Sequence, residues 1–287
     1  MPNLYEETKN LIRKYNISAN KNLGQNFLID EQVLEAIIDS SEICSDDVVI
    51  EVGPGLGTLT KELLKKAGKV IAVELDSKMV QVLNNRFIAE KNFEIINEDI
   101  LKVDLNKIIK NEKEKNGFKK VKVVANLPYY ITTPIIIYLL ENNLKLDLIT
   151  VMIQKEVADR ITATPGSKMS GAITYFSHYY SEPKSVMVVA NTSFIPQPKV
   201  DSEVITLKIL EQPSVNVENK QLFFNIIKAN FTQRRKTFVN ALVNAKIVNS
   251  KEDAKKILNQ LNINENVRGE TLSMQEYEKV ANFLNKR

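Results

Sequence analysis

The stretch "VIEVGPGLGTLT", residues 49–60, decides the fold. Its first half is near-continuously apolar and β-branched. That is the pattern of a strand buried on both faces, not of one alternating between core and water. Gly53, Gly55 and Gly57 follow at once. Glycine there lets the backbone turn sharply and come close to a ligand. The helical pattern "TLTKELLKKAG" (58–68) then opens on a threonine and closes on a glycine. Strand, glycine turn and helix in that order form the opening unit of a parallel α/β sheet, whose ligands bind beyond the carboxyl ends of the strands. A dinucleotide fingerprint reads G-x-G-x-x-G, whereas this loop reads G-x-G-x-G. The spacing argues against a pyrophosphate on the helix N-terminus, and so against a nicotinamide oxidoreductase.

The same strand signature recurs at "KVIAVEL" (69–75), "FEIIN" (93–97), "VKVVAN" (121–126) and "LDLITVMIQ" (146–154). Helical patterns lie between them. "SKMVQVLNNRFIAE" (77–90) follows Asp76-Ser77, either of which can cap a helix, and "PIIIYLLENN" begins with Pro134 near a first turn. This alternation predicts an α/β fold with a mostly parallel sheet and helices on both faces. "SVMVVA" (185–190) and "EVITLKIL" (203–210) read as two further strands, expected to pair antiparallel at one edge. "KNEKEKNGFKK" (110–120) reads as a charged, mobile loop. After Pro213 the strands stop and four helical patterns follow. The chain is therefore expected to divide into a sheet domain, residues 1–210, and a helical domain, residues 211–287.

Composition excludes several classes. The 287 residues are 44% hydrophobic and 26% charged, ordinary for a soluble protein. No apolar run is long enough to span a bilayer, and "MPNLYEETKN" has no signal-peptide pattern. One cysteine, Cys44, and one histidine, His178, allow no intrachain disulfide and no Cys- or His-based metal site. The expectation is a cytoplasmic protein without a metal. Charge is uneven: residues 213–287 hold 13 Lys+Arg against 7 Asp+Glu, while the rest of the chain is slightly acidic. A basic segment on a near-neutral body suits a polyanion, although a solvated lysine-rich surface has the same composition.

Acidic residues at successive strand ends point to the ligand. Glu74 ends the second strand, 21 residues after Gly53, where a carboxylate can accept both ribose hydroxyls of an adenosine. Asp99 follows the third strand and can accept from an adenine amino group, with Ile100 beside the base. The fourth strand ends in Asn126-Leu127-Pro128-Tyr129. The N6 amine of adenine is a poor nucleophile because its lone pair is delocalised into the ring. The Asn126 side-chain oxygen and the backbone carbonyl after it can accept both N–H groups. Pro128 fixes the turn, and Tyr129 can stack on an extruded base. Such a site works by aligning the amine with a sulfonium methyl and by favouring the developing charge.

At this point the chain resembles a known family, the adenine-N6 dimethyltransferases of ribosomal RNA, and among them the bacterial small-subunit (16S) enzymes. The resemblance rests on "KNLGQNFLID" (21–30), "EVGPGLGTLT" (51–60), "VELD" (73–76), "NEDIL" (97–101), "NLPYYITTP" (126–134), "MIQKEVADRI" (152–161), "FIPQPKVDS" (194–202) and "FTQRRKT" (231–237). It implies S-adenosyl-L-methionine as cofactor. It also implies a seven-stranded, Rossmann-like class I methyltransferase sheet with a small helical C-terminal domain. By the same resemblance Asn26 and Leu28 join Gly53, Gly55, Glu74, Asp99, Ile100 and Asn126 in the cofactor site. Read alone, "GQNFLID" is only a loop before a helix. Asn126, Leu127, Pro128 and Tyr129 are the implied catalytic turn, and Arg234, Arg235 and Lys236 the densest cationic cluster of an RNA-engaging domain. The implied partner is small-subunit rRNA in an assembling subunit, met by a monomer. Alternatives stay open: a large-subunit rRNA adenine methyltransferase of the macrolide-resistance type, a DNA adenine methyltransferase, or a non-catalytic RNA-binding or transcription factor on the same fold.

Overall fold

The computed structural model describes residues 3–18, 23–233 and 235–287. Nine strands and twelve α-helices lie among them. The strands are β1 (Phe27–Leu28), β2 (Asp47–Val52), β3 (Lys69–Glu74), β4 (Phe93–Asn97), β5 (Lys120–Asn126), β6 (Leu148–Gln154), β7 (Ser181–Val189), β8 (Phe194–Ile195) and β9 (Ser202–Ile209). The helices are α1 (Leu4–Lys14), α2 (Glu31–Ser40), α3 (Thr58–Lys66), α4 (Ser77–Arg86), α5 (Leu105–Asn116), α6 (Thr132–Glu141), α7 (Lys155–Thr162), α8 (Ala172–Tyr180), α9 (Lys220–Thr232), α10 (Phe238–Asn244), α11 (Lys251–Gln260) and α12 (Met274–Asn285).

Seven strands form one sheet in the order β4-β3-β2-β5-β6-β9-β7. The pairs β3–β4, β2–β3, β2–β5 and β5–β6 are parallel, and β9 returns antiparallel to β6. The chain builds outward from β2 through β3 to β4. It then jumps back to build β5 and β6 on the other side of β2. That reversal makes a switch point at the carboxyl end of β2, where open α/β sheets leave a crevice. Every residue of β2 is buried, as the continuous apolar pattern requires. On one face of the sheet, Val33 and Ile37 of α2 and Leu59 and Leu63 of α3 pack with Val49, Val70, Val124 and Met152.

β1 and β8 pair antiparallel as a second, two-stranded sheet, Phe27 opposite Ile195 and Leu28 opposite Phe194. This joins the "QNFLID" and "FIPQP" segments, which sequence alone leaves as separate loops. The segment 110–120 is a correction. It is helical through Asn116, not a loop, and α5 ends on Gly117 at φ 72°. Asp104 caps its start by accepting from the Lys107 N–H, and Glu112 is buried against Lys69 at 2.7 Å. Lysine and glutamate are good helix formers, so a charged run with one buried anchor folds as a helix.

The chain clusters into two compact units: residues 1–158 with 183–209, and residues 159–182 with 210–287. The second unit therefore takes in a stretch before residue 210. The reason is its core: Tyr175 and Tyr179 of α8 pack with Phe223, Ile226, Phe238, Leu242 and Tyr277. Thr237 caps α10, which begins at Phe238. No helix among the described residues is long and apolar enough to cross a membrane.

Candidate active site

The strand ends of the first unit surround a cleft of about 1120 Å³, open to solvent. Its walls include the turn after β2, the ends of β3 and β5, the segment 98–100 and the segment 23–28. Asn26, Leu28, Gly53, Gly55, Glu74, Asp99, Ile100, Asn126, Leu127, Pro128 and Tyr129 all line it. Every proposed cofactor and catalytic residue of the sheet domain thus meets in one place.

The three glycines sit in three different surroundings. Gly53 sits at φ 66°, and a Cβ there would meet no atom within 4 Å. Its missing side chain leaves space for a ligand against the backbone. Gly55 donates its N–H to Glu74 Oε2 at 3.1 Å. Gly57, at φ 78°, could not carry a Cβ, which would lie 2.7 Å from both Leu83 Cδ2 and Phe87 Cε2. Its role is the close approach of the loop to α4.

Glu74 is 7% exposed, and its second oxygen accepts from the Asp76 N–H at 2.8 Å. Burial raises its pKa, opposed by those backbone donors. Asp99 uses Oδ1 for the Leu101 N–H at 3.0 Å, an Asx turn that fixes the carboxylate at the cleft while Ile100 is buried beside it.

The turn after β5 is oriented by two bonds. Asn126 Nδ2 donates to the Asn26 backbone carbonyl at 3.2 Å, so the amide nitrogen is engaged and the oxygen is the acceptor left to face a substrate. Leu127 donates its N–H to Met152 O at 3.0 Å. The Pro128 carbonyl is occupied by the Ile131 N–H and the Thr132 hydroxyl. No described group donates to the Leu127 carbonyl. Two acceptors therefore stand one residue apart, Asn126 Oδ1 and Leu127 O. The Tyr129 hydroxyl lies 2.6 Å from Ser202 Oγ, which fixes the ring. Burial raises the Tyr129 pKa, so the phenol stays neutral.

Three cleft residues escaped the sequence reading. Glu51 is buried within β2 and accepts from Thr60 Oγ1 at 2.6 Å. Burial, reinforced by the nearby Glu74 carboxylate, raises its pKa to about 8. Its signal was an acid inside an otherwise apolar run. Tyr130, 52% exposed, lies across Gly24, whose ideal Cβ would be 3.5 Å from the ring. Gln25 is also in the wall and donates to Asp76 Oδ2 at 3.0 Å. Of the cationic cluster, Arg235 and Lys236 are exposed in the turn before α10, and Arg234 lies outside the described residues. The described residues hold no group of three or more His, Cys, Asp or Glu side chains that could bind a metal.

This geometry agrees with comparison to known proteins. The family model for ribosomal RNA adenine dimethylase matches residues 16–286. The chain belongs to the ribosomal RNA adenine dimethylase family. It is thus a methyltransferase. Among its relatives, ribosomal RNA small subunit methyltransferase A of Alkaliphilus oremlandii is 47% identical over 98% of this chain and 97% of its own length. The protein of that name from Clostridium acetobutylicum is 48% identical over 96% of this chain and 98% of its own length. The crystal structure of a dimethyladenosine transferase from Plasmodium falciparum superposes with a TM-score of 0.76 at 28% identity, covering 91% of this chain and 98% of that one. The 23S rRNA methyltransferase ErmE, at 23% identity and a TM-score of 0.69 over 91% of this chain and all of its own, shares the fold. The fold is that of class I methyltransferases.

Proposed function

We propose that this protein dimethylates N6 of two adjacent adenines in a 3′-terminal hairpin of small-subunit rRNA, using S-adenosyl-L-methionine, during subunit maturation in the cytoplasm. The observation that carries the reading is the pair of acceptors Asn126 Oδ1 and Leu127 O on the rim that holds Glu74 and Asp99. The small-subunit naming of the relatives supports that substrate over the large-subunit alternative.

The residues present fit the cofactor. Gly53 leaves an open cradle, Glu74 is placed for ribose hydroxyls, and Asp99 with Ile100 for an adenine. Asn26 and Leu28 also line the cleft. When bound, S-adenosyl-L-methionine supplies an electrophilic sulfonium methyl. The protein's part is positional. Asn126 Oδ1 and Leu127 O accept the two N–H groups of the unmethylated amine, and one of them accepts the single N–H left for the second transfer; these bonds favour a pyramidal nitrogen whose lone pair is aimed rather than delocalised into the ring. As positive charge grows on nitrogen, the two oxygens stabilise it without reorganising. Tyr129, held by Ser202, offers a face to the extruded base. The first domain performs this chemistry, and the helical domain with Arg234, Arg235 and Lys236 adds RNA affinity through phosphates.

A transfer assay with labelled S-adenosyl-L-methionine tests the reading. Undermethylated small subunits should accept label. Label appearing only on large subunits, or only on DNA, would move the assignment elsewhere.

A further inference from the structure

We infer that Glu7 and Arg86 are positioning residues for the cofactor loop: helix α1 holds the Leu56 carbonyl through a guanidinium that depends on Glu7 for its counter-charge. The inference rests on the reading of the cleft as an S-adenosyl-L-methionine site.

Four of the bonds that hold the loop Gly53–Gly57 bear on its register. The Gly53 N–H donates to Val73 O at 2.9 Å, the Gly55 N–H to Glu74, and the Gly57 N–H to Pro54 O at 2.9 Å. These three bonds come from the adjacent strand or from the loop itself. The fourth does not. Arg86, the last residue of α4, donates Nη1 to the Leu56 carbonyl. Its Nη2 pairs with Glu7 Oε1 at 2.8 Å. The other Glu7 oxygen pairs with Lys61 Nζ at 2.8 Å, on the helix into which the loop runs. One carboxylate from α1 therefore bridges cations on both helices that flank the loop.

The Arg86 side chain is 11% exposed. A guanidinium that poorly solvated needs its partner, since an unpaired buried charge is strongly unfavourable. Burial lowers its pKa, and Glu7 offsets that only in part. The apolar side of α1 reinforces the arrangement: Leu11, Ile12 and Tyr15 pack on the cluster of Ile17, Phe27, Leu56, Met79 and Val82. Leu56 and Phe27 both line the cleft. The loop carbonyl between Gly55 and Gly57 is thus registered from behind, by a helix that itself lies outside the cleft wall.

The test is calorimetric titration of S-adenosyl-L-methionine and of S-adenosylhomocysteine into the full chain and into E7A, R86A and the double variant E7A/R86A. Losing a hydrogen bond to a charged group costs about tenfold in an equilibrium constant. E7A and R86A should each weaken both ligands about that much, and the double variant should bind no more weakly than R86A. E7Q should fall between wild type and E7A. R86K, whose single amine cannot serve Leu56 and Glu7 together, should fold yet bind like R86A. In steady state the KM for the cofactor should rise more than kcat falls. Variants that melt earlier but bind as tightly as wild type would overturn the inference, and so would additive losses in the double variant. A wild-type chain that binds no S-adenosyl-L-methionine would defeat the cofactor reading and the tie together. Tight binding by wild type, E7A and R86A alike would defeat the tie alone.

Discussion

Replacing Glu51 by glutamine should stabilise the protein at neutral pH and flatten its stability–pH profile. Burial in β2 raises the Glu51 carboxyl from its ordinary 4.5 to about 8, against the opposing bond from Thr60. Below pH 4.5 the folded and unfolded chains both hold the proton, so the contribution of Glu51 to stability is fully present. Between 4.5 and 8 the unfolded chain releases the proton while the folded chain keeps it, and stability is lost as pH rises. Each pH unit in that window corresponds to about 1.4 kcal/mol, so the loss reaches about 3 kcal/mol at pH 7 and levels off near 5 kcal/mol above pH 8. Glutamine does not titrate, and its oxygen can still accept from Thr60. Urea unfolding of wild type and E51Q at pH 5, 7 and 8.5, with equal denaturant slopes, reads the difference directly. The E51Q advantage should grow by about 3 kcal/mol between low and neutral pH. Parallel profiles would mean that Glu51 is already ionised in the folded chain, and the argument from burial would be wrong.

Asn126→Ala should leave the fold intact and lower single-turnover methyl transfer roughly 10²–10³-fold, by analogy with the loss of one aligned transition-state group, with less effect on cofactor affinity. Near-normal transfer would refute the amide's role. Gly57→Ala should cost roughly 2–4 kcal/mol in unfolding free energy, because a Cβ at φ 78° would be driven into Leu83 and Phe87. Gly53→Ala, whose Cβ enters the open cleft, should lose cofactor binding more than stability, and calorimetry beside a thermal melt separates the two. Neutralising Arg234, Arg235 and Lys236 should flatten the slope of log affinity for small subunits against log salt by up to about 2–3 units; a lower melting temperature with the slope unchanged would instead make the cluster a packing feature.

The sheet was legible because its strands are continuous apolar runs and its glycine turn has a spacing with physical meaning. The cleft was legible for the same reason: Glu74, Asp99 and Asn126 each stand where an apolar run stops, and a parallel sheet brings those points to one rim. Other features left weaker traces. Helix α5 carries local signals, the Asp104 cap and the Gly117 stop, but its charged run reads as a solvated loop until Glu112 is seen buried against Lys69. The mini-sheet joining Phe27 to Ile195 is too short to carry a period. Tyr175 and Tyr179 read as part of the sheet domain because nothing near them in sequence names the helical core that buries them. Glu51 was absorbed into its strand, and Glu7 and Arg86, 79 residues apart, form a pair that only the fold creates.

The most direct test of the account is nucleoside analysis of small-subunit rRNA from undermethylated subunits after incubation with the protein and S-adenosyl-L-methionine. The account predicts N6,N6-dimethyladenosine at two neighbouring adenines of a 3′-terminal hairpin, absent when Asn126 is replaced by alanine at matched time. Methyl groups on any other atom, or dimethyladenosine formed equally well by the alanine variant, would contradict it.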